Sequence, residues 1–380
     1  MGGRLVRYGA SEEQKHYYKS LVARYGSPLL IISRNKLINQ YHRLKEFLPG
    51  VSLHYAIKAF PHREILRILA DQGCHFDVAS EGEIELLKPL QVSGRKTIHT
   101  HPIKKSSDIK AALRGGSTTF VVDNIDELRK LLIYRNRVGV LLRVSFRSPS
   151  ARVDLSRKFG CTIEQIEGIV HRARRLGIHI RGLSFHVGSQ SLKPDMHVEA
   201  IRQCGKLIEQ INGEAHHPMN VLDIGGGFPV DYTGLHSAGD SYFAPIREAL
   251  ENLPDDLDLI AEPGRFLVAP AVTGISSVTG LARRGDYQWY YLDDGVYGSY
   301  SGQIFDHVHY PLQILSDEPE REPAILSGPT CDSIDIVAED ILLPKLKAGD
   351  LVIGHMMGAY TAATSTRFNS LDLAQIVLVD

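Results

Sequence analysis

Cysteine is scarce: Cys74, Cys161, Cys204 and Cys331 are the four in 380 residues, and no two form a CxxC pair. No disulfide framework and no zinc site can be drawn from that spacing, which points to a reducing compartment. Charge imbalance is missing as well, since 43 basic residues face 44 acidic ones for a formal net charge of -1. That balance removes the electrostatic case for a nucleic-acid partner or an anionic membrane. No apolar run approaches the ~18 residues that span a bilayer. The start, Met1-Gly-Gly-Arg-Leu-Val-Arg-Tyr8, lacks an apolar signal core, and Val6 stands where a myristoylation pattern needs Ser or Thr. Internal repeats and low-complexity stretches are also absent. The expectation is a cytoplasmic globular chain, long enough for two domains that each bury a core.

What the chain does have is a long alternation of helical and β-rich stretches from about residue 34 onward. Helical periodicity over Asn35–Phe47, Arg63–Gln72 and Glu81–Leu90 separates short β-rich runs. Eight runs end in polar residues: at Lys58, Asp77-Val-Ala-Ser80, His99-Thr-His101, Asp123-Asn124, Arg143, His186-Val-Gly-Ser-Gln190, Gly225-Gly-Gly227 and Glu262-Pro-Gly-Arg265. Chemistry-bearing residues at one end of every strand predict a (β/α)8 TIM barrel over residues 34–270, with its site at the C-terminal strand ends. A doubly wound sheet would not spread them over all eight strands. Beyond residue 270, Val272–Ala282, Tyr287–Leu292, Glu322–Leu326, Asp350–Ile353 and Ile376–Val379 read as strands. They predict a second, mostly β domain, of β-sandwich or β-barrel-like form, built from residues 1–33 and 271–380 and recruiting Leu29–Ile32.

The stretch His54-Tyr-Ala-Ile-Lys-Ala-Phe60 is the centre of the chemical reading. Alternation over Val51–Phe60 places Val51, Leu53, Tyr55 and Ile57 on one side and Ser52, His54, Ala56 and Lys58 on the other. An inward lysine costs several kcal/mol if charged and unpaired, about what burial of any lone ion costs. A chain that keeps one generally uses it, as in a Schiff base to a carbonyl or to pyridoxal phosphate, although many such lysines simply reach solvent at strand ends. Leu222-Asp-Ile-Gly-Gly-Gly-Phe-Pro229 puts three glycines after a strand, where backbone N–H groups can close on a phosphate. The spacing fits neither a dinucleotide fingerprint nor a Walker loop. The bland alternative is a plain turn. Glu262 and Arg265 as a mere surface ion pair would contribute little. At a barrel mouth they can instead meet a pyridine nitrogen and a phosphate. His186 gains interest only if a flat ring needs a stacking partner.

Together these stretches resemble the fold-type III pyridoxal 5'-phosphate-dependent decarboxylases, the family of ornithine, lysine, arginine and diaminopimelate decarboxylases. The motifs run from about residue 50 to residue 370. The resemblance implies an alanine racemase-like barrel plus β domain, and it implies residue roles. Lys58, in Tyr-Ala-Ile-Lys, forms the Schiff base to the cofactor, with Asp77 of Phe-Asp-Val-Ala-Ser beside it. His186 stacks on the ring, and Ser189, Gly225, Gly226, Gly227, Gly264 and Arg265 serve the phosphate. Glu262 pairs with the ring nitrogen, where alanine racemases have an arginine, and Arg143 resembles the family's active-site arginine. In the β domain Cys331, in Gly-Pro-Thr-Cys-Asp332, protonates the carbanion after CO2 leaves. Tyr360, in Gly358-Ala-Tyr360, touches the phosphate from the partner subunit. Phe368 of Phe368-Asn369 lies near the substrate. A homodimer with shared active sites follows from this assignment.

Asp332 after Cys331 resembles the ornithine and lysine type, diaminopimelate enzymes having glutamate there. Asp306, in Asp306-His307, would be the second acid on a distal ammonium, since one buried pair barely offsets desolvation. The expected activity is decarboxylation of ornithine or lysine to a diamine, in polyamine-type metabolism. Departures from the family pattern are His99-Thr-His-Pro102 in place of an Ala-Asn-Pro-like stretch, and Arg367 beside Phe368, a cation suited to a substrate with an extra anion. Alternatives are a decarboxylase of diaminopimelate or of a modified or carrier-attached amino acid, and a non-catalytic homologue that binds proteins. Lys58, Glu262 and Cys331 retained together argue against the last.

Overall fold

The computed structural model describes residues 6–146, 157–213, 217–233, 238–316 and 318–380. The chain forms two compact units. One comprises Met1–Gln40, Val230–Ser237 and Val268–Asp380, the other Tyr41–Pro229 and Ala238–Leu267.

Two strands precede the barrel, β1 (Val6–Tyr8) and β2 (Leu29–Ser33), and both belong to the first unit. The second unit is a closed barrel of eight parallel strands: β3 (Ser52–Ala56), β4 (His75–Val78), β5 (Thr97–His99), β6 (Thr119–Val122), β7 (Gly139–Val144), β8 (Ile180–Phe185), β9 (Val221–Asp223) and β10 (Asp258–Ala261). The last strand pairs with the first, Ile260 opposite Ser52, and the Ala56 N–H donates to the Pro263 carbonyl at 3.0 Å to seal the seam. Strands such as Phe120–Val122 and Val140–Leu142 are apolar without interruption because parallel strands are covered on both faces. Ile98, Val121, Leu141, Val221 and Ile260 form one packed cluster. The surrounding helices bury one stripe each: Arg63–Asp71 turns Ile65, Leu66, Ile68 and Leu69 inward. Strand ends lead straight into helix caps, with Ser80 and Asn124 accepting the N–H groups of Glu83 and Glu127. The polar residues expected at the eight strand ends begin at those ends or within about two residues of them.

Lys58 differs in one respect. Strand β3 stops at Ala56, and Ile57–Ala59 is a turn of 3-10 helix closed by the Phe60 N–H on the Ile57 carbonyl at 3.1 Å. Ile57 and Ala59 are buried by that turn, and the lysine between them keeps 42% of its side chain exposed. Lys58 therefore sits just past the strand end, not on the strand face.

The first unit is a nine-stranded mixed sheet. Its remaining strands are β11 (Val272–Arg284), β12 (Tyr287–Leu292), β13 (Leu312–Ile314), β14 (Glu322–Ser327), β15 (Ile336–Leu343), β16 (Leu351–Gly354) and β17 (Gln375–Val379). The long β11 pairs with β12, β16 and β2, so the early Leu29–Ile32 run is recruited as expected. Leu29, Ile31, Ile275, Ile353 and Val377 pack into its core. Among the described residues no helix is long and apolar enough to cross a membrane.

Candidate active site

Lys58 Nζ donates to Asp77 Oδ2 at 2.6 Å. Asp77, at the end of β4, is almost fully buried, and its other carboxylate oxygen accepts from the Thr100 hydroxyl, which follows β5. A buried carboxylate holding a lysine amine from one oxygen and a hydroxyl from the other is fixed in rotation as well as in place. Thr100 belongs to the stretch singled out as a departure from the family pattern, and this is its consequence. Its neighbour His99 is fully buried and stacked on Phe120, with ring centroids 5.8 Å apart. Burial holds that imidazole down to about 4, with the Lys104 cation adding to the effect, so it is neutral.

Across the barrel mouth, Glu262 follows β10 and Asp223 ends β9. Burial is the first cause that holds the Glu262 carboxyl well above the ordinary carboxylate range, and the charges of Asp223 and Asp77 add to it. Burial likewise pushes Asp223 up, to about 6. Burial opposes the charge of Arg143 and Glu262 is the acid that most favours it; Arg143 projects from β7 with its guanidinium 5.4 Å from the Phe159 ring centre. Three carboxylates, Asp77, Asp223 and Glu262, thus face two cations, Lys58 and Arg143. Glu262 and Asp223 are the two acids whose charge a further cation would relieve. His186, just beyond β8, adds no such cation: burial and the Arg143 and Lys58 cations hold its pKa well below the ordinary imidazole value. Its Nδ1 accepts from the Gly188 N–H at 3.0 Å, which leaves a neutral ring with a fixed orientation.

The three glycines after β9 are required by close approach. A Cβ on Gly225, whose φ is +64°, would lie 2.1 Å from the Phe185 carbonyl oxygen, and one on Gly227, at φ +95°, 2.2 Å from that of Gly188. Their carbonyls are all engaged by the protein. Gly225 O accepts from the Glu262 N–H at 2.7 Å, Gly226 O from His197 Nε2 at 3.1 Å, and Gly227 O from the Ser191 N–H at 3.0 Å. The Gly225 N–H donates to Asp223 Oδ1 at 2.9 Å. The N–H groups of Gly226 and Gly227 meet no acceptor among the described residues. Nearby, Arg265 Nη2 donates to Ser189 Oγ at 3.1 Å, and Gly264 packs on Ala59 and Ala56. Two amides, a hydroxyl and a guanidinium suit a phosphate, a buried carboxylate pair suits a protonated ring nitrogen, and Lys58 suits an aldehyde. The residues fit pyridoxal 5'-phosphate.

The first unit carries the other candidates. Cys331 is exposed, whereas the other three cysteines are buried. The Cys331 N–H donates to Asn369 Oδ1 at 3.0 Å, and Asp332 Oδ2 accepts from the Tyr297 hydroxyl at 2.5 Å. That bond, ahead of the Ile334 N–H, holds the Asp332 carboxyl below its ordinary value. Phe368 stacks on the same Tyr297 ring, centroids 4.6 Å apart. Cys331, Asp332, Phe368 and Asn369 therefore converge on one corner. Asp306 caps the short helix Gly302–Phe305 and is buried, and Tyr360 holds a positive φ of +54°. Arg367, expected to draw an extra anion, is instead on the surface, 3.1 Å from Asp372.

Several residues escaped the sequence reading. Asp223 and His197 support groups that were recognised, but each does so from a neighbouring element, with no spacing signal. Asp335 is fully buried and accepts from the N–H groups of Val296 and Thr330 and from the Thr330 hydroxyl, tying the Tyr297 loop to the Cys331 loop. Glu83, pushed up to about 7 by burial, accepts from the Ala79 N–H behind Asp77.

Comparison with known proteins agrees with this geometry. The family model described as "Pyridoxal-dependent decarboxylase, pyridoxal binding domain" matches residues 34–269. A curated lysine/ornithine decarboxylase of Selenomonas ruminantium is 38% identical over 363 residues, 95% of this chain and 92% of the relative. The crystal structure of lysine/ornithine decarboxylase from Vibrio vulnificus complexed with cadaverine superposes with a TM-score of 0.93 at 48% identity, covering 97% of each chain. The same Vibrio vulnificus enzyme complexed with putrescine gives 0.92, also at 48% identity, over 97% of this chain and 99% of that one. With a barrel whose strand ends carry Lys58, His186, the glycine loop and Glu262, this chain belongs to the fold-type III pyridoxal-dependent decarboxylases, of the ornithine and lysine type.

Proposed function

We propose that the protein removes the α-carboxylate of ornithine or lysine as CO2 and releases the diamine, acting as a cytoplasmic homodimer. The observation that carries the reading is the barrel-mouth set: a lysine amine held 2.6 Å from Asp77, with two buried acids, Glu262 and Asp223, whose carboxyls burial holds high. When bound, pyridoxal phosphate supplies an electron sink conjugated to the substrate Cα. Lys58 would hold the cofactor through its aldehyde, the amine being the nucleophile at the barrel mouth. Glu262 would hold a proton on the ring nitrogen, and the neutral His186 would offer its flat ring to the cofactor. Ser189, Gly225, Gly226, Gly227, Gly264 and Arg265 bind the phosphate, joined by Tyr360 of the partner subunit. Arg143 offsets the negative charge around Glu262.

The sheet unit completes the assignment. Cys331 of the partner subunit delivers the proton to Cα after CO2 has left. Asp332, with its carboxyl held ionised by Tyr297, takes the distal ammonium together with Asp306, and Phe368 covers the substrate chain. Arg367, occupied by Asp372, gives no support to an acidic substrate. The test is CO2 release from ornithine, lysine, arginine, diaminopimelate and norleucine, with the amine product identified. Ornithine and lysine should dominate, and Asp332→Asn should lower kcat/KM for both by at least about tenfold, as for loss of a charged partner. An unchanged preference for basic over neutral amino acids in that variant would reject the assignment of Asp332.

A further inference from the structure

Each peptide unit of the glycine loop has one edge held by the protein. The Gly226 carbonyl and the Gly227 N–H belong to the same planar trans peptide and point in opposite directions. The group on that carbonyl is His197 Nε2, at 3.1 Å, from the helix Asp195–Asn212. A carbonyl only accepts, so Nε2 carries the hydrogen and Nδ1 is left to accept from the Tyr242 hydroxyl at 3.4 Å. His197 has no exposed surface, and its ring lies nearly parallel to Phe228, 5.1 Å away at 7°. Burial holds it neutral, down to about 4, which keeps this tautomer through the working pH range.

We propose that His197 is the positioning residue of the glycine loop: by binding the Gly226 carbonyl it fixes the peptide whose opposite edge, the Gly227 N–H, donates to the cofactor phosphate. Tyr242 orients His197 in turn. A hydrogen bond on the carbonyl also polarises the peptide and strengthens the amide as a donor. The inference rests on the reading of the glycine loop as the phosphate site.

The test compares pyridoxal 5'-phosphate with pyridoxal, which forms the same link to Lys58 but has no phosphate. Dissociation constants are measured by absorbance titration of the full-length chain freed of cofactor, with inorganic phosphate as competitor. His197→Phe keeps the ring and its stacking but has no donor. It should weaken pyridoxal 5'-phosphate about tenfold or more, the usual loss for a hydrogen bond serving a charged group, and change pyridoxal less than about threefold. His197→Gln, which restores a donor, should recover part of the loss, and Tyr242→Phe should show a smaller loss of the same kind. Equal weakening of both ligands, or none, in folded His197→Phe and His197→Gln would overturn the proposal. If the wild-type chain itself binds both ligands alike and inorganic phosphate does not compete, the phosphate reading of the loop fails first.

Discussion

Glu262 shows how one side chain is set by its surroundings. In water a glutamate is ionised at neutral pH, but here burial comes first and Asp223 and Asp77 second in opposing its charge. A carboxylate so placed is stabilised most by a cation at close range, and its pull on a ring nitrogen rises as charge develops during CO2 loss. Glu262→Gln removes that charge while keeping the shape. The expected result is a kcat lowered by about 10²-fold or more with KM little changed, because the interaction is made chiefly in the transition state. Steady-state kinetics with ornithine or lysine checks it, and a variant altered only in KM would deny Glu262 the ring-nitrogen role. The sequence exposed Glu262 because an acid in Glu-Pro-Gly-Arg at a strand end is conspicuous. Asp223 stands on a strand two residues before a glycine and carries no such mark. Its closeness to Glu262 exists only once β9 and β10 pair.

Among elements, those with regular patterns were legible and those built on short or broken ones were not. The eight barrel strands could be found because each apolar run ends in polar residues, and that is a local property. Lys58 was placed on a strand because alternation persists through Ile57, yet the backbone turns into a 3-10 helix there. Strands β1 and β13 have three residues each, too few for periodicity, and β15 is broken by Asp340 at φ +53°. Asp335 opens the approach to β15 and holds the loops on either side, accepting from Val296 N at 2.8 Å, Thr330 N at 3.0 Å and Thr330 Oγ1 at 2.7 Å. These loops carry Tyr297, Cys331 and Asp332. Asp335→Asn replaces an acceptor with a donor facing other donors. It should cost about 1.5–3 kcal/mol of stability, the range for hydrogen bonds to a charged group. Chemical denaturation measures this, and an unshifted midpoint would show that the two loops do not depend on Asp335.

On the scale of the whole molecule, the candidate residues divide between two units of the chain: Lys58, His186 and Glu262 on the barrel, Cys331, Asp332 and Tyr360 on the sheet. In the same unit as the sheet residues, Ile304, Phe305, Ile334, Phe368, Leu371 and Leu373 are exposed large apolar side chains. Exposed apolar side chains of this size suit burial against another protein surface. A twofold dimer would then hold two composite sites, each with Lys58 from one chain and Cys331 from the other. Lys58→Ala loses the amine and should abolish the absorbance near 420 nm that marks the lysine-linked cofactor. Cys331→Ala loses the thiol proposed to deliver the proton but should keep that band. Each homodimer is impaired at both of its sites. When the two variants exchange subunits, a mixed dimer has one site with both defects and one with neither. Equal amounts give about half mixed dimers, so roughly a quarter of wild-type activity should return by twofold symmetry counting. Recovery would require that catalytic groups come from separate chains, since two crippled self-contained sites cannot complement each other. Mixtures that exchange subunits, as verified with differently tagged chains, and yet remain inactive would assign Cys331 to its own chain's site.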